Sequence, residues 1–200
     1  MSFHNSVLTE VATHEQLYDY KWKEIQRLGI AGFVTETGDC CLDLADEISK
    51  WGYSWHHWAY KLYGAWTWDS HGFFELGDDN NYDCPTIDSC LNKERVAVFA
   101  RVYPAAVAGT GKYFHFNKET NEAVLVYQPD PSIDEPTEIR VPVTWRYETG
   151  VNINITPQGV TRWNFLTADD NISQEEANST IAIYLDRNWD GEEISVVITP

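Results

Sequence analysis

A glutamate stands at the end of a short apolar segment near the N-terminus. The run Gly32-Phe33-Val34-Thr35-Glu36-Thr37-Gly38 is a strand-like pattern that closes on a carboxylate and a glycine-containing turn. In parallel sheets and barrels, ligands bind and catalysis occurs at the C-terminal ends of the strands. The pattern therefore predicts a catalytic role for Glu36, although a helix cap or an ion pair with a neighbour would use the same residue type.

The next strand-like segment is aromatic and is predicted to end at the same edge. It reads Trp55-His56-His57-Trp58-Ala59-Tyr60-Lys61, and its flat rings are suited to stacking against a sugar. Successive side chains on a strand point to opposite faces, so His56 and His57 cannot jointly bind one metal ion. We therefore predict neither a metal site nor a cofactor.

Helical patterns flank these two strands. A capping-box sequence at Thr13-His14-Glu15-Gln16 and a glycine at Gly29 predict a helix over residues 13–28, and Leu42–Trp51 before Gly52 predicts a second helix. With strands at Ile30–Thr35 and Tyr53–Tyr60, this is a βαβ unit with parallel strands. Two parallel strands alone leave both edges unpaired, so the pattern requires more sheet than this chain supplies.

The chain changes character after residue 92. Eight short runs rich in β-branched and aromatic residues, separated by turn residues, predict an antiparallel β-sandwich. The runs are Arg95–Tyr103, Tyr113–Phe116, Ala123–Tyr127, Glu138–Val143, Val151–Ile155, Val160–Phe165, Thr180–Leu185 and Ile194–Ile198. The predicted fold class is α/β plus all-β: barrel units at residues 1–64, an acidic linker at 65–92, and a sandwich at 93–200.

Charge and composition exclude several classes of partner. The net charge of −17 would repel phosphate backbones, so we predict no nucleic-acid partner. No apolar run reaches the roughly 18 residues of a membrane span. The acidic residues between Asp69 and Asp88 lack the spacing of a compact calcium loop, and a solvated loop explains them better.

Cysteines and glycosylation sequons favour a secretory or lysosomal route. Cys84 and Cys90 bracket a polar loop and could pair, but the adjacent Cys40 and Cys41 could each pair with one of them or stay reduced. The three Asn-x-Ser/Thr sequons are at Asn154, Asn171 and Asn178. No leader pattern follows Met1, so we expect any signal peptide to lie upstream.

Several motifs together resemble a known family. They are the Thr35-Glu36 strand end, Ser54-Trp55-x-x-Trp58-Ala59-Tyr60-Lys61, and above all Arg101-Val102-Tyr103-Pro104-Ala105-Ala106-Val107-Ala108-Gly109-Thr110. Shorter matches occur at residues 136–139 and 150–155. Over nearly its whole length the sequence resembles the C-terminal part of endoglycoceramidases and related glycosylceramidases of glycoside hydrolase family 5.

The resemblance implies a retaining glycosidase acting on a glycolipid or oligosaccharide. Glu36 would be the nucleophile on strand 7 of a (β/α)₈ barrel and Trp55 the sugar platform on strand 8, with Trp58, Tyr60 and Lys61 also binding substrate. The family's acid/base is the glutamate of an Asn-Glu-Pro motif, which this chain lacks.

Asn121-Glu122 does not replace that motif, because alanine follows it and it lies in a predicted sandwich turn. We therefore expect the chain to be inactive without an N-terminal barrel half. Two alternatives remain: a β-glucanase or steryl-glucosidase of the same family, and a non-catalytic sandwich that binds carbohydrate or glycolipid.

Overall fold

The chain divides into two compact units, residues 1–99 and residues 100–200. The structure is a computed structural model, and it describes residues 14–37, 48–50, 52–57, 72–74, 86–159, 161–168, 173–174, 179–186, 189, 191 and 193–200. The units are taken in turn below.

The first unit begins with helix α1, His14–Leu28. Gly29, at φ +66°, ends it with the hydrogen bonds of a Schellman motif. The Gly29 N–H donates to the Gln26 carbonyl at 3.2 Å and the Ile30 N–H donates to the Ile25 carbonyl at 3.3 Å. The predicted helix and its glycine cap are confirmed, whereas Thr13 of the predicted capping box lies outside the described residues.

Two short parallel strands follow, β1 (Phe33–Thr37) and β2 (Ser54–His57). The parallel pairing is as predicted, but β1 starts three residues later than predicted because Ile30 is still part of the helix cap. Residues 48–50 are helical, and Gly52 ends that turn with the same pair of hydrogen bonds seen at Gly29. The rest of the predicted second helix and of the second strand lies outside the described residues.

A small aromatic core joins helix and strands in this unit. Tyr18, Ile48 and Tyr53 are buried, and the rings of Tyr18 and Tyr53 meet edge to face at 5.8 Å. Gly32 lies directly against this core: a Cβ there would overlap the Tyr53 ring and lie 2.8 Å from the Ile25 side chain. Only glycine therefore lets the chain enter β1 beside the core.

The last part of the first unit corrects one prediction. Helix α2 (Ile87–Cys90) is followed by helix α3 (Lys93–Phe99), and α3 occupies the first part of the strand predicted from Arg95 to Tyr103. The Asn92 side chain accepts the Arg95 N–H at 2.8 Å, as an N-cap residue does, and the Val96 N–H donates to the Asn92 carbonyl at 3.0 Å. This local cap outweighs the β-branched composition of the run.

The described residues of the predicted linker contact one another and the start of α3. Phe74 forms an antiparallel bridge with Leu91, and an Arg95 guanidinium nitrogen donates to the Gly72 carbonyl at 2.8 Å. The acidic stretch between them, residues 75–85, lies outside the described residues. The predicted three-part division therefore stays a prediction.

Cys90 is disulfide-bonded. Since Cys40, Cys41 and Cys84 all lie outside the described residues, the structure does not distinguish among the pairings predicted from sequence. In the part of the chain that is described, no helix is long and apolar enough to cross a membrane.

The second unit consists of eight described strands in two antiparallel sheets. Sheet I has the order β4-β5-β10-β7, and sheet II has the order β3-β6-β9-β8. The strands are β3 (Tyr103–Ala106), β4 (Gly109–Asn117), β5 (Glu122–Pro129), β6 (Thr137–Arg140), β7 (Asn152–Thr156), β8 (Thr161–Phe165), β9 (Thr180–Leu185) and β10 (Ile194–Thr199). The strand predicted at Glu138–Val143 ends at Arg140, and the last residue of that prediction, Val143, begins the short helix α4, Val143–Arg146.

Both sheets contribute to one hydrophobic core. On β5 buried and half-buried residues alternate, so Leu125 points inward, and Val196 does the same on β10. Ile139 and Ile183 of sheet II belong to the same cluster. Each such buried aliphatic side chain contributes about 1.5–3 kcal/mol, which makes this core the main stabilising feature of the unit.

Gly109 opens β4 at a point of close backbone contact. Its φ is +145°, and a Cβ there would overlap the Gln128 carbonyl oxygen and lie 2.7 Å from the Pro129 Cα. We expect Gly109→Ala to lower the free energy of unfolding of the second unit by about 1–3 kcal/mol, through strain and steric overlap.

Gly111→Ala is the matched control, because a Cβ at Gly111 has no neighbour within 4 Å. Denaturant unfolding of both variants and the parent protein gives the comparison. Equal stability of the two variants would show that Gly109 is not needed for its backbone geometry.

Tyr147 gives the second unit a pH-dependent contribution to stability. The residue is buried, its hydroxyl donates to the Asn121 carbonyl, and burial raises the pKa of Tyr147 to about 12. An unfolded tyrosine has a pKa of about 10, so between these values only the unfolded chain loses the proton. The stability that Tyr147 contributes is complete below pH 10 and is lost as the pH rises toward 12.

We therefore expect the stability difference between the parent protein and Tyr147→Phe to shrink as the pH rises from about 10 to 12. At neutral pH the variant should be less stable by about 1 kcal/mol, because the Asn121 carbonyl loses its donor. Urea unfolding at a series of pH values measures both effects. A difference that does not change with pH would contradict the assignment.

Candidate site at the ends of the parallel strands

Glu36 lies within the last residues of β1, at the predicted edge. Phe33 pairs with Ser54, Val34 with Trp55, and Thr37 with His57, so β1 holds one more residue than β2 in this interval. This irregularity has the form of a β-bulge, which redirects side chains and is common beside active sites. The side chain of Glu36 lies outside the described part of the structure, and its catalytic role stays a prediction.

The two histidines of β2 point in opposite directions, as predicted. His56 meets the Phe33 ring edge to face at 4.9 Å. The centre of the His57 ring lies 5.0 Å from that of Phe73 and 4.4 Å from that of Phe99. Among the described residues no group of three histidine, cysteine, aspartate or glutamate side chains is arranged to hold a metal ion.

Trp55 is half-buried and has structural neighbours on more than one element. It packs against the aromatic core of the first unit, and its ring lies 5.7 Å from that of Phe99. These contacts give Trp55 a packing role, and its function as a sugar platform stays a prediction. Trp58, Tyr60 and Lys61, the other predicted substrate-binding residues, lie outside the described residues.

Phe73 and Phe99 were not among the residues singled out from the sequence. Their rings meet edge to face at 5.1 Å, and both contact His57 at the end of β2. Phe99 lies in the run for which the sequence predicts a strand, and nothing in the spacing of Phe73 indicates that its ring contacts His57. The single available signal was composition, because phenylalanine is unusual in the polar stretch around residue 73.

Burial changes the ionisation of one group behind the strands. It raises the pKa of Tyr53 to about 12, and the neighbouring Tyr18 acts in the same direction. Tyr53 therefore keeps its proton at pH values where an exposed tyrosine ionises, as suits a residue that packs in the core. The same aromatic cluster carries a charged neighbour, since the Lys21 ammonium lies 5.2 Å from the centre of the Tyr18 ring.

The Asn121-Glu122 pair is located where the sequence predicted it. Asn121, at φ +57°, is in the turn between β4 and β5, and Glu122 is exposed at the start of β5. Both residues belong to the second unit. The structure gives the pair a turn-forming role, with the Asn121 side chain accepting a hydrogen bond from Arg146 at 2.7 Å.

Both units of the chain have similar counterparts in known proteins. Residues 101–198 match the sequence profile described as the glycoside hydrolase family 5 C-terminal domain. The endoglycoceramidase of Hydra vulgaris is 27% identical over 154 residues, which cover 70% of this chain and 28% of that protein. The chain thus spans less than a third of the length of that relative.

Solved structures show the same likeness in fold. Endo-glycoceramidase II from Rhodococcus sp., in an iminocyclitol complex, gives a TM-score of 0.61 at 18% identity, covering 98% of this chain and 39% of that one. Sterylglucosidase 1 from Cryptococcus neoformans gives 0.55 at 15% identity, covering 78% of this chain and 22% of that one. Residues 101–198 therefore belong to the C-terminal domain of glycoside hydrolase family 5, and the chain as a whole is similar to the C-terminal part of an endoglycoceramidase.

Proposed function

We propose that this chain is the C-terminal part of a retaining glycoside hydrolase that cleaves the bond between a glycan and ceramide. In this proposal β1 and β2 are strands 7 and 8 of a (β/α)₈ barrel, and Glu36 is the nucleophile. The two antiparallel sheets are the β-sandwich that follows the barrel. The similarity to endoglycoceramidases in both sequence and fold supports the assignment.

The parallel register of β1 and β2 is the observation that carries the proposal. Because Thr37 pairs with His57, the two strands run to the same edge, with Glu36 one residue before the end of β1. Barrel enzymes place catalytic residues at this edge. An antiparallel pair would have placed the two strand ends on opposite sides.

Exposed apolar residues support an incomplete barrel. Leu28, Ile30 and Phe33, at and after the end of α1, are each at least half exposed. Among the described residues β1 pairs with β2 in a sheet of two strands, whereas a barrel strand pairs on both sides. A further set of βα units would cover these residues and pair with the edge of β1 that does not face β2. We propose that an N-terminal barrel half supplies those units.

The proposed mechanism divides the two catalytic carboxyl groups between this chain and the N-terminal barrel half. A retaining enzyme needs two carboxyl groups about 5–5.5 Å apart: one attacks the anomeric carbon, and the other protonates the leaving oxygen and then activates water. Glu36 would be the first. The second would come from the N-terminal half, and Trp55, Trp58, Tyr60 and Lys61 would contact the sugar.

Localisation follows from the same proposal. A glycolipid hydrolase of this kind would work outside the cell or in the lysosome, where the disulfide of Cys90 is stable. Of the three sequons, Asn154 is exposed on β7, and Asn171 and Asn178 lie outside the described residues.

A steryl glucoside is the second candidate substrate, because the fold also matches the sterylglucosidase of Cryptococcus neoformans. Both substrates join a sugar to a lipid, and they differ in the shape of the lipid beside the cleaved bond. Parallel assays with a glycosylceramide and a steryl glucoside separate them. A soluble β-glucan in the same assay tests the third substrate class.

We expect the 200-residue chain alone to release no ceramide from a fluorescent glycosylceramide above the level of Glu36→Gln. Absence of the general acid removes about 10²–10⁴-fold in rate by itself. Joined to a barrel half that carries an Asn-Glu-Pro strand end, the chain should become active, with the anomeric configuration retained in the product by NMR.

Glu122→Gln is the matched control in the joined enzyme, because Glu122 is an exposed carboxylate in the second unit. It should leave the rate unchanged, whereas Glu36→Gln should abolish it. Hydrolysis by the isolated chain that Glu36→Gln eliminates would refute the missing-acid argument. Equal rates for Glu36→Gln and the parent enzyme would refute the nucleophile assignment.

A further inference from the structure

We propose that sheet I binds a neutral oligosaccharide on the face turned away from the core. This outer face consists of the outward-pointing side chains of β4, β5, β10 and β7. It lies wholly within the second unit and contains none of the residues assigned to hydrolysis. The proposal therefore goes beyond the glycosidase activity and does not depend on it.

The aromatic side of the outer face is on β4. Phe114 and Phe116 are buried in the core, so the residues between and beside them point outward. Tyr113 is 44% exposed, and its ring lies 6.5 Å from that of His115 at an interplanar angle of 30°. The two tilted rings lie side by side at the sheet edge and together offer a short aromatic platform.

The pairing of the strands aligns Tyr113 and His115 with residues of the other three strands. The aligned residues form two rows across the sheet. The first row is Tyr113, Val126, Ser195 and Thr156, and the second is His115, Val124, Val197 and Asn154. Each row crosses three inter-strand spacings, or about 14 Å. Both rows run from a ring on β4, through valine on β5, to hydroxyl or amide side chains toward β7.

The side chains of the two rows are suited to an uncharged ligand that has both apolar C–H surfaces and hydroxyl groups. None of the eight side chains is aspartate, glutamate, lysine or arginine, although the chain has a net charge of −17. A pyranose ring presents C–H groups that pack on the electron-rich face of an aromatic ring. Its hydroxyl groups both donate and accept, which matches the exposed Asn154 and Thr156.

Other occupants fit the outer face less well. An anionic lipid surface meets no lysine or arginine in the two rows, and the net charge would repel it. A second copy of the chain would bury the polar β7 side without charged partners to complement it. A neutral glycan satisfies the apolar half and the polar half together.

The test uses the full 200-residue chain, produced without N-glycans so that Asn154 keeps its free amide. Cellopentaose, mannopentaose and lactose are titrated separately, with amide chemical shifts and calorimetry as readouts. Tyr113→Ala should weaken binding by about tenfold, or about 1.4 kcal/mol. Asn154→Ala should weaken it by a smaller factor, because the site is solvent-exposed.

Tyr103→Ala is the matched control, since Tyr103 is 51% exposed but belongs to sheet II. It should leave affinity unchanged, and shift changes should map to the two rows. Thermal unfolding of each variant confirms that it is folded. Glu36→Gln should bind as the parent does, which separates this proposal from the catalytic one.

Several results would overturn the proposal. They include no shift change with any of the three sugars, and equal loss of affinity in Tyr113→Ala and Tyr103→Ala. Binding to phosphatidylcholine vesicles that depends on Tyr113 while the sugars fail to bind would assign the face to lipid. A dimer in sedimentation that Tyr113→Ala dissociates, again without sugar binding, would assign it to a second copy.

Discussion

The guanidinium of Arg146 ties together three segments of the second unit that are far apart in sequence. Its Nε donates to the Ala100 carbonyl, and its Nη1 donates to the Lys118 carbonyl at 3.1 Å and to the Asn121 side chain at 2.7 Å. A charge in a partly buried place costs free energy unless its donors are satisfied, and here several acceptors converge on it. The start of the unit, the β4–β5 turn and α4 thereby share one fixed point.

Phe116 links that fixed point to the core. The guanidinium carbons of Arg146 and Arg101 lie 5.3 Å and 5.1 Å from the centre of its ring, which itself is buried between the sheets. Cation–π contacts of this kind are worth about 0.5–2 kcal/mol each. The arginine at the start of the most specific sequence motif therefore has a structural purpose, and the motif's Gly109 has another in the close contact with Gln128.

The sequence predicted those features whose cause is local. Gly29 predicted the end of α1, because a left-handed residue is the usual way to close a helix. Composition and turn residues predicted most of the strands in the second unit, since β-branched and aromatic runs between turns favour short antiparallel strands. The parallel strand ends, and hence the edge on which Glu36 lies, followed from the short connections between helix and strands.

Features that depend on contacts between residues far apart in the sequence could not be predicted from local patterns. The run from Arg95 has the composition of a strand, yet α3 forms because Asn92 caps it and because Arg95 reaches the Gly72 carbonyl, 23 residues away. The extra residue in β1 depends on how β2 pairs with it, and neither strand alone reveals it. The same holds for Phe99, whose importance comes from the three rings it meets.

The exposed charged residues of the second unit are located differently from the uncharged residues of the outer face. Asp130, Glu119 and Glu135 are exposed carboxylates of the second unit that lie in the connections between strands, where no cross-strand partner is needed. The valines of the outer face are explained by strand propensity and by the cross-strand pair Val124 and Val197. Strand propensity also permits the tyrosine at position 113, but core packing does not require it, since its ring is 44% exposed on the outward face of an edge strand. A chain this acidic that keeps charge off two whole rows of a sheet has a surface on which a neutral ligand meets no electrostatic penalty.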